Sequence, residues 1–191
     1  HPGLLCALVK MLAARGADVV VGDSPGGLYN AAYVNRVYAA TGMRAAEQAG
    51  GRLNQDFGER EARFPEGKVC RQFKYTAWLG DADAIINLCK LKTHGMMAMT
   101  CGAKNMFGSI PGTMKPECHF RYPDPRDFAR MIVDLDEYFK PCLTIVDAVD
   151  CMEGNGPTGG TPRHMGALLA AESPHKADPV SYTHLRAHET V

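Results

Sequence analysis

Several features that would assign a broad functional class are missing from the sequence. Its 191 residues contain no run of eighteen or more apolar residues, so no membrane-spanning helix is predicted. Lys plus Arg number 21 and Asp plus Glu number 21, which leaves none of the basic excess that most nucleic-acid-binding proteins carry. No signal-peptide pattern opens the chain. We therefore expect a cytoplasmic protein that binds neither nucleic acid nor membrane.

Closely spaced cysteine pairs are also missing. The seven cysteines form no C-x-x-C motif; they are Cys6, Cys70, Cys89, Cys101, Cys118, Cys142 and Cys151. An odd, scattered set in a chain of this size predicts reduced thiols rather than a disulfide framework. Iron–sulfur clusters usually take closely spaced Cys ligands, so the spacing argues against a complete cluster within this chain.

What the sequence does contain is an alternation of helix-like and strand-like segments. Helical spacing of apolar residues predicts helices over residues 4–14 and 126–139, and short apolar runs predict strands at 18–22, 84–89 and 143–146. Each strand is followed by charged residues and then by glycine or proline. This pattern is typical of α/β proteins. We predict a single three-layer α/β domain with a mostly parallel sheet, incomplete at both ends.

The end of the chain differs in character from the rest. Residues Val180–Thr190 read VSYTHLRAHET, which resembles the translated end of a sequencing adaptor. We therefore predict an α/β domain over residues 1–179 and a non-native tail over residues 180–191. His184 and His188 would share one face of a helix and could bind a metal ion. We set that interpretation aside because of the expected origin of the tail.

Ligand-binding residues are expected where the three predicted strands end. In open α/β sheets, ligands bind beyond the carboxyl ends of the strands. This rule brings to one edge Asp23 with Ser24, the segment Lys90–His94, and Asp147 with Glu153. For an Asp taken alone, a turn-capping side chain is the alternative interpretation.

The second of these segments is the most informative. If the strand stays extended through it, Lys90, Lys92 and His94 point to the same side. Three such groups favour an anionic ligand, such as a carboxylate or a phosphate. Lys104 and Asn105, in the glycine-rich segment that follows, could add a cation and an amide. The alternative is a solvated strand end with ordinary surface lysines.

Two further candidates are weaker. The loop Gly154–Gly160, which contains Asn155, could present backbone N–H groups to an anion, although a plain flexible loop fits the same residues. His119 could transfer a proton near neutral pH. A single histidine more often has no such role.

Longer stretches of the sequence carry a family resemblance. They are GDSPGG at Gly22–Gly27, LKTHGMMAMTCGAKNMFGSIPG at Leu91–Gly112, and DAVDCMEGNGPTGGTPR at Asp147–Arg163. With the helix DPRDFARMIVDL, they resemble domain-of-unknown-function family 362, whose members are often described as uncharacterised iron–sulfur centre proteins. The resemblance runs from the first residue to about residue 178, where Ser173–Asp178 replaces a more apolar stretch of the family.

The resemblance implies more than these residues show. Many family members look like α/β domains that carry a ferredoxin-like module with clustered cysteines, beyond the point at which this chain ends. Family members also have an N-terminal segment that this chain lacks. The module would hold 4Fe–4S clusters on Cys thiolates. The implied cofactor therefore belongs to the parent protein, and its ligands lie outside this chain.

Two functional hypotheses follow. The first is iron–sulfur redox or electron-transfer chemistry, with a redox partner, on a small anionic substrate. In it the lysines bind the anion, His94 or His119 moves a proton, and Asp147 with Glu153 orients those groups or holds a cation. The alternative is a non-redox ligand-binding or group-transfer protein, in which Asp147 and Glu153 hold Mg²⁺ or Mn²⁺. A scaffold role is a third interpretation that explains the glycine loops poorly.

Overall fold

The computed structural model describes residues 1–185, with side chains through residue 183. His188 lies outside the described residues, as does the side chain of His184. Within residues 1–185 there are seven α-helices: α1 (Pro2–Ala13), α2 (Ala31–Ala40), α3 (Ala45–Gln48), α4 (Gly102–Asn105), α5 (Lys115–Arg121), α6 (Pro125–Phe139) and α7 (Pro174–Leu185). The same residues form eight strands: β1 (Val20–Val21), β2 (Arg52–Leu53), β3 (Glu59–Arg63), β4 (Gln72–Thr76), β5 (Ile86–His94), β6 (Ala98–Thr100), β7 (Leu143–Glu153) and β8 (Thr161–Ala171).

The strands of the described residues form three sheets. β1 pairs in parallel with β2, and β3 pairs with β4. The largest sheet has four strands in the order β6-β5-β7-β8. Its central pair, β5 and β7, is parallel, whereas β6 and β8 each run antiparallel to their neighbour. The predicted α/β class is confirmed, but the large sheet is mixed rather than mostly parallel.

Contacts within the chain divide it into two compact units. The first unit comprises His1–Glu61, Lys74–Asp81 and Gly108–Pro116. Its core packs side chains of α1, α2, α3 and the β1–β2 pair, namely Val9, Val21, Val34, Tyr38, Ala46 and Leu53. The sequence favours α1 because the His1 side chain accepts the N–H of Gly3 and Pro2 occupies the first turn.

The second unit comprises Ala62–Phe73, Ala82–Phe107 and Glu117–Val191 and contains the four-stranded sheet. Residues on one face of that sheet pack into a core with α7; the buried members are Cys89, Leu91, Cys101, Val146, Ala148, Cys151 and Ala177. Gly166, at φ 64°, lies where the β7–β8 register shifts, as expected for a β-bulge that needs a left-handed residue.

Helix α6, with 15 residues, is the longest helix described in the second unit. The Asp124 side chain caps its first turn by accepting the N–H of Arg126, and Lys140 ends it in the left-handed conformation. Asp134, which is 3% exposed, accepts the backbone N–H groups of Lys68, Val69 and Cys70. This carboxylate ties α6 to the loop before β4, because three buried N–H groups find their acceptor there.

Strand β1 is shorter than the predicted strand at 18–22, whereas the two other predicted strands continue further at their carboxyl ends. The predicted strands at 84–89 and 143–146 extend as β5 to His94 and as β7 to Glu153. Both extensions contain charged residues, so apolar runs alone underestimate the length of a strand with one polar face. The three-layer arrangement stays a prediction. No helix within residues 1–185 has the length and apolar character needed to cross a membrane.

Candidate functional site

The polar face of β5 positions the candidate site in the second unit. Along this strand, fully buried residues alternate with half-buried ones. Cys89 and Leu91 point into the core, so Lys90, Lys92 and His94 lie on the opposite face. The strand is thus extended through His94, as the prediction of a shared face for these three side chains required.

Lys90 is paired within the sheet. Its Nζ donates to Asp147 Oδ2 at 2.7 Å and to the carbonyl of Asp150 at 3.0 Å. The Asp147 side chain is 3% exposed, and burial alone would raise its pKa. The hydrogen bonds that this carboxylate accepts from Lys90 and from the N–H of Val149 instead hold the pKa below its ordinary value. Lys90 therefore neutralises Asp147.

His94 has one ring nitrogen engaged by the backbone. Its Nδ1 accepts the N–H groups of Met96 and Met97, each at 3.2 Å, in the turn that leads from β5 to β6. Burial lowers the pKa of His94 to about 4, with further contributions from Lys104, His119 and Lys92. The ring is therefore neutral at pH 7, and the proton of the neutral form resides on Nε2.

The side chains of Lys104 and His119 both lie against the rings of Phe107 and Phe128. The Nζ of Lys104 lies 5.4 Å from the ring centroid of Phe107 and 6.0 Å from that of Phe128. His119 stacks on Phe128 with centroids 4.5 Å apart and planes 13° apart. Burial and then Lys104 lower the pKa of His119. Phe128 thus brings a lysine and a histidine from different helices side by side.

Lys92, His94, Lys104 and His119 together form what we call the basic cluster. Its members influence one another electrostatically: Lys104, His119 and Lys92 all act on His94 and lower its pKa. Lys92 and Lys104 are the cations of this cluster, and both disfavour protonation of His94; an anion bound beside them is attracted by both. The arrangement can therefore bind a carboxylate or phosphate through two ammonium groups and the N–H of His94.

Asn105 takes a structural position instead of the predicted anion contact. Its side-chain amide donates to Asn87 Oδ1 at 2.7 Å and to the carbonyl of Leu88 at 3.3 Å. Asn87, which is 3% exposed, donates in turn to the carbonyl of Gly102. These bonds hold α4 against β5, and α4 carries Lys104.

Sequence reasoning did not find the residue that fixes the other end of α4. The Asp178 carboxylate, on α7, accepts the N–H groups of Gly102 and Ala103 at 2.8 and 3.0 Å. A Cβ on Gly102 would lie only 2.9 Å from Asp178 Oδ1, so the glycine permits this close approach. A glycine at the first position of a short basic helix was the signal available in the sequence. No local pattern indicated that a residue of α7 would cap that helix.

The glycine loop after β7 lies against the end of β5. The Thr93 hydroxyl donates to the carbonyl of Gly154 at 2.9 Å, and the N–H of Gly95 donates to the carbonyl of Gly156 at 3.2 Å. The end of β5 and the loop that follows β7 are therefore in direct contact. Asn155 is exposed in this loop. Its contact with an anion stays a prediction.

The two acidic residues of the predicted metal site lie apart. Asp147 and Glu153 are six residues apart on one strand, a separation of about 20 Å along an extended chain. Glu153 bonds Arg163 at 2.8 Å, whereas Asp147 bonds Lys90. The two carboxylates therefore do not share one ion. Within residues 1–185, no group of three or more His, Cys, Asp or Glu side chains is arranged to hold a metal.

Asp23 and Ser24 belong to the first unit. Asp23 is exposed at the end of β1, and Ser24 is 1% exposed. The ammonium of Lys115 donates to the carbonyl of Ser24. This turn is packed against the segment around Gly112, where a Cβ would lie 2.1 Å from the carbonyl oxygen of Pro25.

The thiols of this chain do not fit an iron–sulfur cluster. All seven cysteines are free thiols, and four of them are buried. Contact with the Cys101 thiol and burial raise the pKa of Cys89, and burial raises the pKa of Cys151 to about 11. Thiols that resist ionisation in an apolar core are poor metal ligands. The cysteines of the described residues therefore supply no clustered set of thiolate ligands for an iron–sulfur centre.

Comparisons with known proteins give matches over most of the chain. The sequence model of the family described as domain of unknown function (DUF362) matches residues 1–183. The chain is also 33% identical over 178 residues to the thylakoid-associated protein sll1697 from Synechocystis sp.. The aligned region covers 90% of this chain and 52% of that protein. The chain thus spans about half the length of this curated relative.

Proposed function

The chain belongs to the DUF362 family, as predicted from its motifs, and we propose that it binds a small anionic substrate at the basic cluster. We propose further that the anion undergoes redox chemistry in the parent protein. The basic cluster is the single observation that carries the first part. The second part rests on the family resemblance, and the alignment leaves about half of the relative's length for another module.

The members of the cluster have different roles in this proposal. Lys92 and Lys104 neutralise the anion, and the Phe107 and Phe128 rings hold the Lys104 ammonium by cation–π attraction. His94 donates its Nε2 proton to the anion, since Nδ1 is engaged by the turn. His119, which is exposed, is the group that exchanges a proton through a nitrogen at the edge of its ring.

Calorimetric titration of the 191-residue chain with small carboxylates and phosphate tests the binding proposal. Lys104→Met should weaken the affinity at least about tenfold, because a charge-assisted hydrogen bond contributes about 1.5–3 kcal/mol. Lys10→Met, which removes an exposed lysine from α1, is the matched control. Equal affinities of the two variants for every anion would refute the assignment.

The redox part needs a separate measurement. We would express a full-length homologue anaerobically and record its iron, acid-labile sulfide and visible spectrum. Stoichiometric iron and sulfide would support redox chemistry by way of Cys-bound 4Fe–4S clusters outside the matched region. A folded, iron-free protein would refute the redox proposal, but it would not contradict the proposed anion site.

Repeating the anion titrations with Mg²⁺ or Mn²⁺ tests the metal-dependent alternative. Its support is weak, because Lys90 already neutralises Asp147 and Glu153 lies far along the same strand. Anion affinity that rises with either metal would favour group transfer instead. The proposed location is the cytoplasm, which remains a prediction from the sequence.

A further inference from the structure

His119 presents an aromatic face at the basic cluster. One face of its ring is stacked on Phe128, and the edge of Phe107 contacts it at a centroid distance of 5.8 Å and an interplanar angle of 87°. Phe128 is 0% exposed and Phe107 is 5% exposed, whereas His119 is an exposed residue. Of these three rings, His119 is thus the one that a ligand can cover.

The Lys104 ammonium lies beside the His119 ring. Lys104 and His119 rest on the same Phe128 ring, and Lys104 lowers the pKa of His119 while both Lys104 and His119 lower that of His94. The imidazole is therefore held in its neutral form at neutral pH. A neutral, immobilised ring stacks on a flat π-system in an offset or parallel arrangement.

We propose that the anion bound here is an aromatic carboxylate. Its carboxylate contacts Lys104, Lys92 and the Nε2 proton of His94, and its ring stacks on the outer face of His119. This inference rests on the anion site proposed above and adds the substrate class. An aliphatic acid or inorganic phosphate would meet the same cations but would leave the His119 face uncovered.

Benzoate and cyclohexanecarboxylate make a matched pair of probes. They carry the same charge and have nearly the same size, but only benzoate is flat. Calorimetric titration of the full chain at pH 7.5 should give about three- to tenfold tighter binding of benzoate, the usual strength of an aromatic stack. The benzoate protons should also shift upfield in NMR spectra because of the ring current of His119.

Two substitutions at His119 separate stacking from any contribution of its ring nitrogens. His119→Phe keeps an aromatic ring and should retain the preference for benzoate, whereas His119→Leu should bind both acids equally. Because residue 119 is exposed, both variants are expected to fold, and their thermal melts provide the check. Loss of the preference in His119→Leu together with its retention in His119→Phe is the expected result.

Three other results would overturn the inference. Equal binding of the two acids by the unmodified chain would remove the stacking role and leave the anion site intact. Tighter binding of inorganic phosphate than of benzoate would assign the site to a phosphorylated ligand. If neither acid nor phosphate binds, the proposed function itself fails and the substrate class fails with it.

Discussion

The Asp178 carboxylate caps the first turn of α4, although 76 residues separate Asp178 from Gly102 along the chain. Its two oxygens accept the N–H groups of Gly102 and Ala103, which lack partners within a helix of four residues. Asn87 binds the same turn through the carbonyl of Gly102. The position of Lys104 in the basic cluster therefore depends on two side chains that bind the first turn of its helix.

Replacing this carboxylate should affect both stability and binding. Asp178→Ala is expected to lower the free energy of unfolding by about 1–2 kcal/mol, the usual cost of removing a helix cap. It should also weaken anion binding, because the start of α4 is released. Urea unfolding and calorimetry measure the two effects. Asp127→Ala, which removes an exposed carboxylate from α6, is the control. Unfolding curves that coincide for the two variants would contradict the capping role.

The Lys90–Asp147 pair predicts a specific pH dependence. The pKa of Asp147 is lowered, so its stabilising effect is complete above the ordinary value of 3.8 and disappears as the pH falls through the lower folded value. Asp147→Asn should therefore cost about 1–3 kcal/mol at pH 7, where it leaves Lys90 without its buried partner, and less in acid. Chemical denaturation at several pH values measures this difference.

The exposed Asp127–Arg130 pair supplies the comparison for that experiment. Both of its side chains are solvated, so Asp127→Asn should change stability by less than about 1 kcal/mol at any pH. If Asp147→Asn lowers the free energy of unfolding no more than Asp127→Asn does, or lowers it more as the pH falls, the Lys90–Asp147 pair does not stabilise the sheet.

The basic cluster could be foreseen from the sequence only in part. Strand alternation was sufficient to place Lys92 and His94 together, because a two-residue period is local information. The pairing of Lys90 with Asp147 was not predictable, since it depends on the register between β5 and β7. The same holds for Asp178, whose partners are distant in sequence.

The antiparallel direction of β6 and β8 and the polar strand β3 were not predicted from the sequence. β6 and β8 run antiparallel because each follows a short connection from its neighbour, and a connection of that kind reverses the chain. β3 reads EREAR, and only Ala62 of its five residues is buried. A strand that buries one side chain leaves no hydrophobic pattern to detect.

Asp136 predicts the opposite pH response to Asp147. Its side chain is 1% exposed, and neither oxygen has a hydrogen-bond partner among the described residues. Burial, followed by Asp178 and Glu137, raises its pKa to about 9, and His175 Nε2 lies 3.8 Å from Oδ2. A raised carboxyl pKa contributes stability that is complete below 3.8 and is lost as the pH rises toward the folded value.

Asp136→Asn should therefore stabilise the protein increasingly as the pH rises, by at most ~1.4 kcal/mol per pH unit. Thermal unfolding between pH 5 and pH 9 checks the slope. Asp134→Asn is the informative contrast, because Asp134 is equally buried but accepts three N–H groups, so its replacement should destabilise the protein. A pH profile that is unchanged by Asp136→Asn would mean that this carboxyl group does not titrate abnormally.

Gly156, in the loop after β7, packs closely against the backbone of Thr93 near the end of β5. A Cβ on Gly156 would lie 2.0 Å from the carbonyl oxygen of Thr93, and that atom belongs to backbone that cannot rotate away. Gly156→Ala should push the loop off the end of β5 and cost about 1–3 kcal/mol, as overpacking does. Gly26→Ala is the control, since nothing lies within 4 Å of its Cβ. Because Thr93 precedes His94, the displaced loop should also alter the amide NMR signals of the β5–β6 turn and weaken anion binding. A Gly156→Ala variant with the stability and affinity of Gly26→Ala would show that the loop does not support the site.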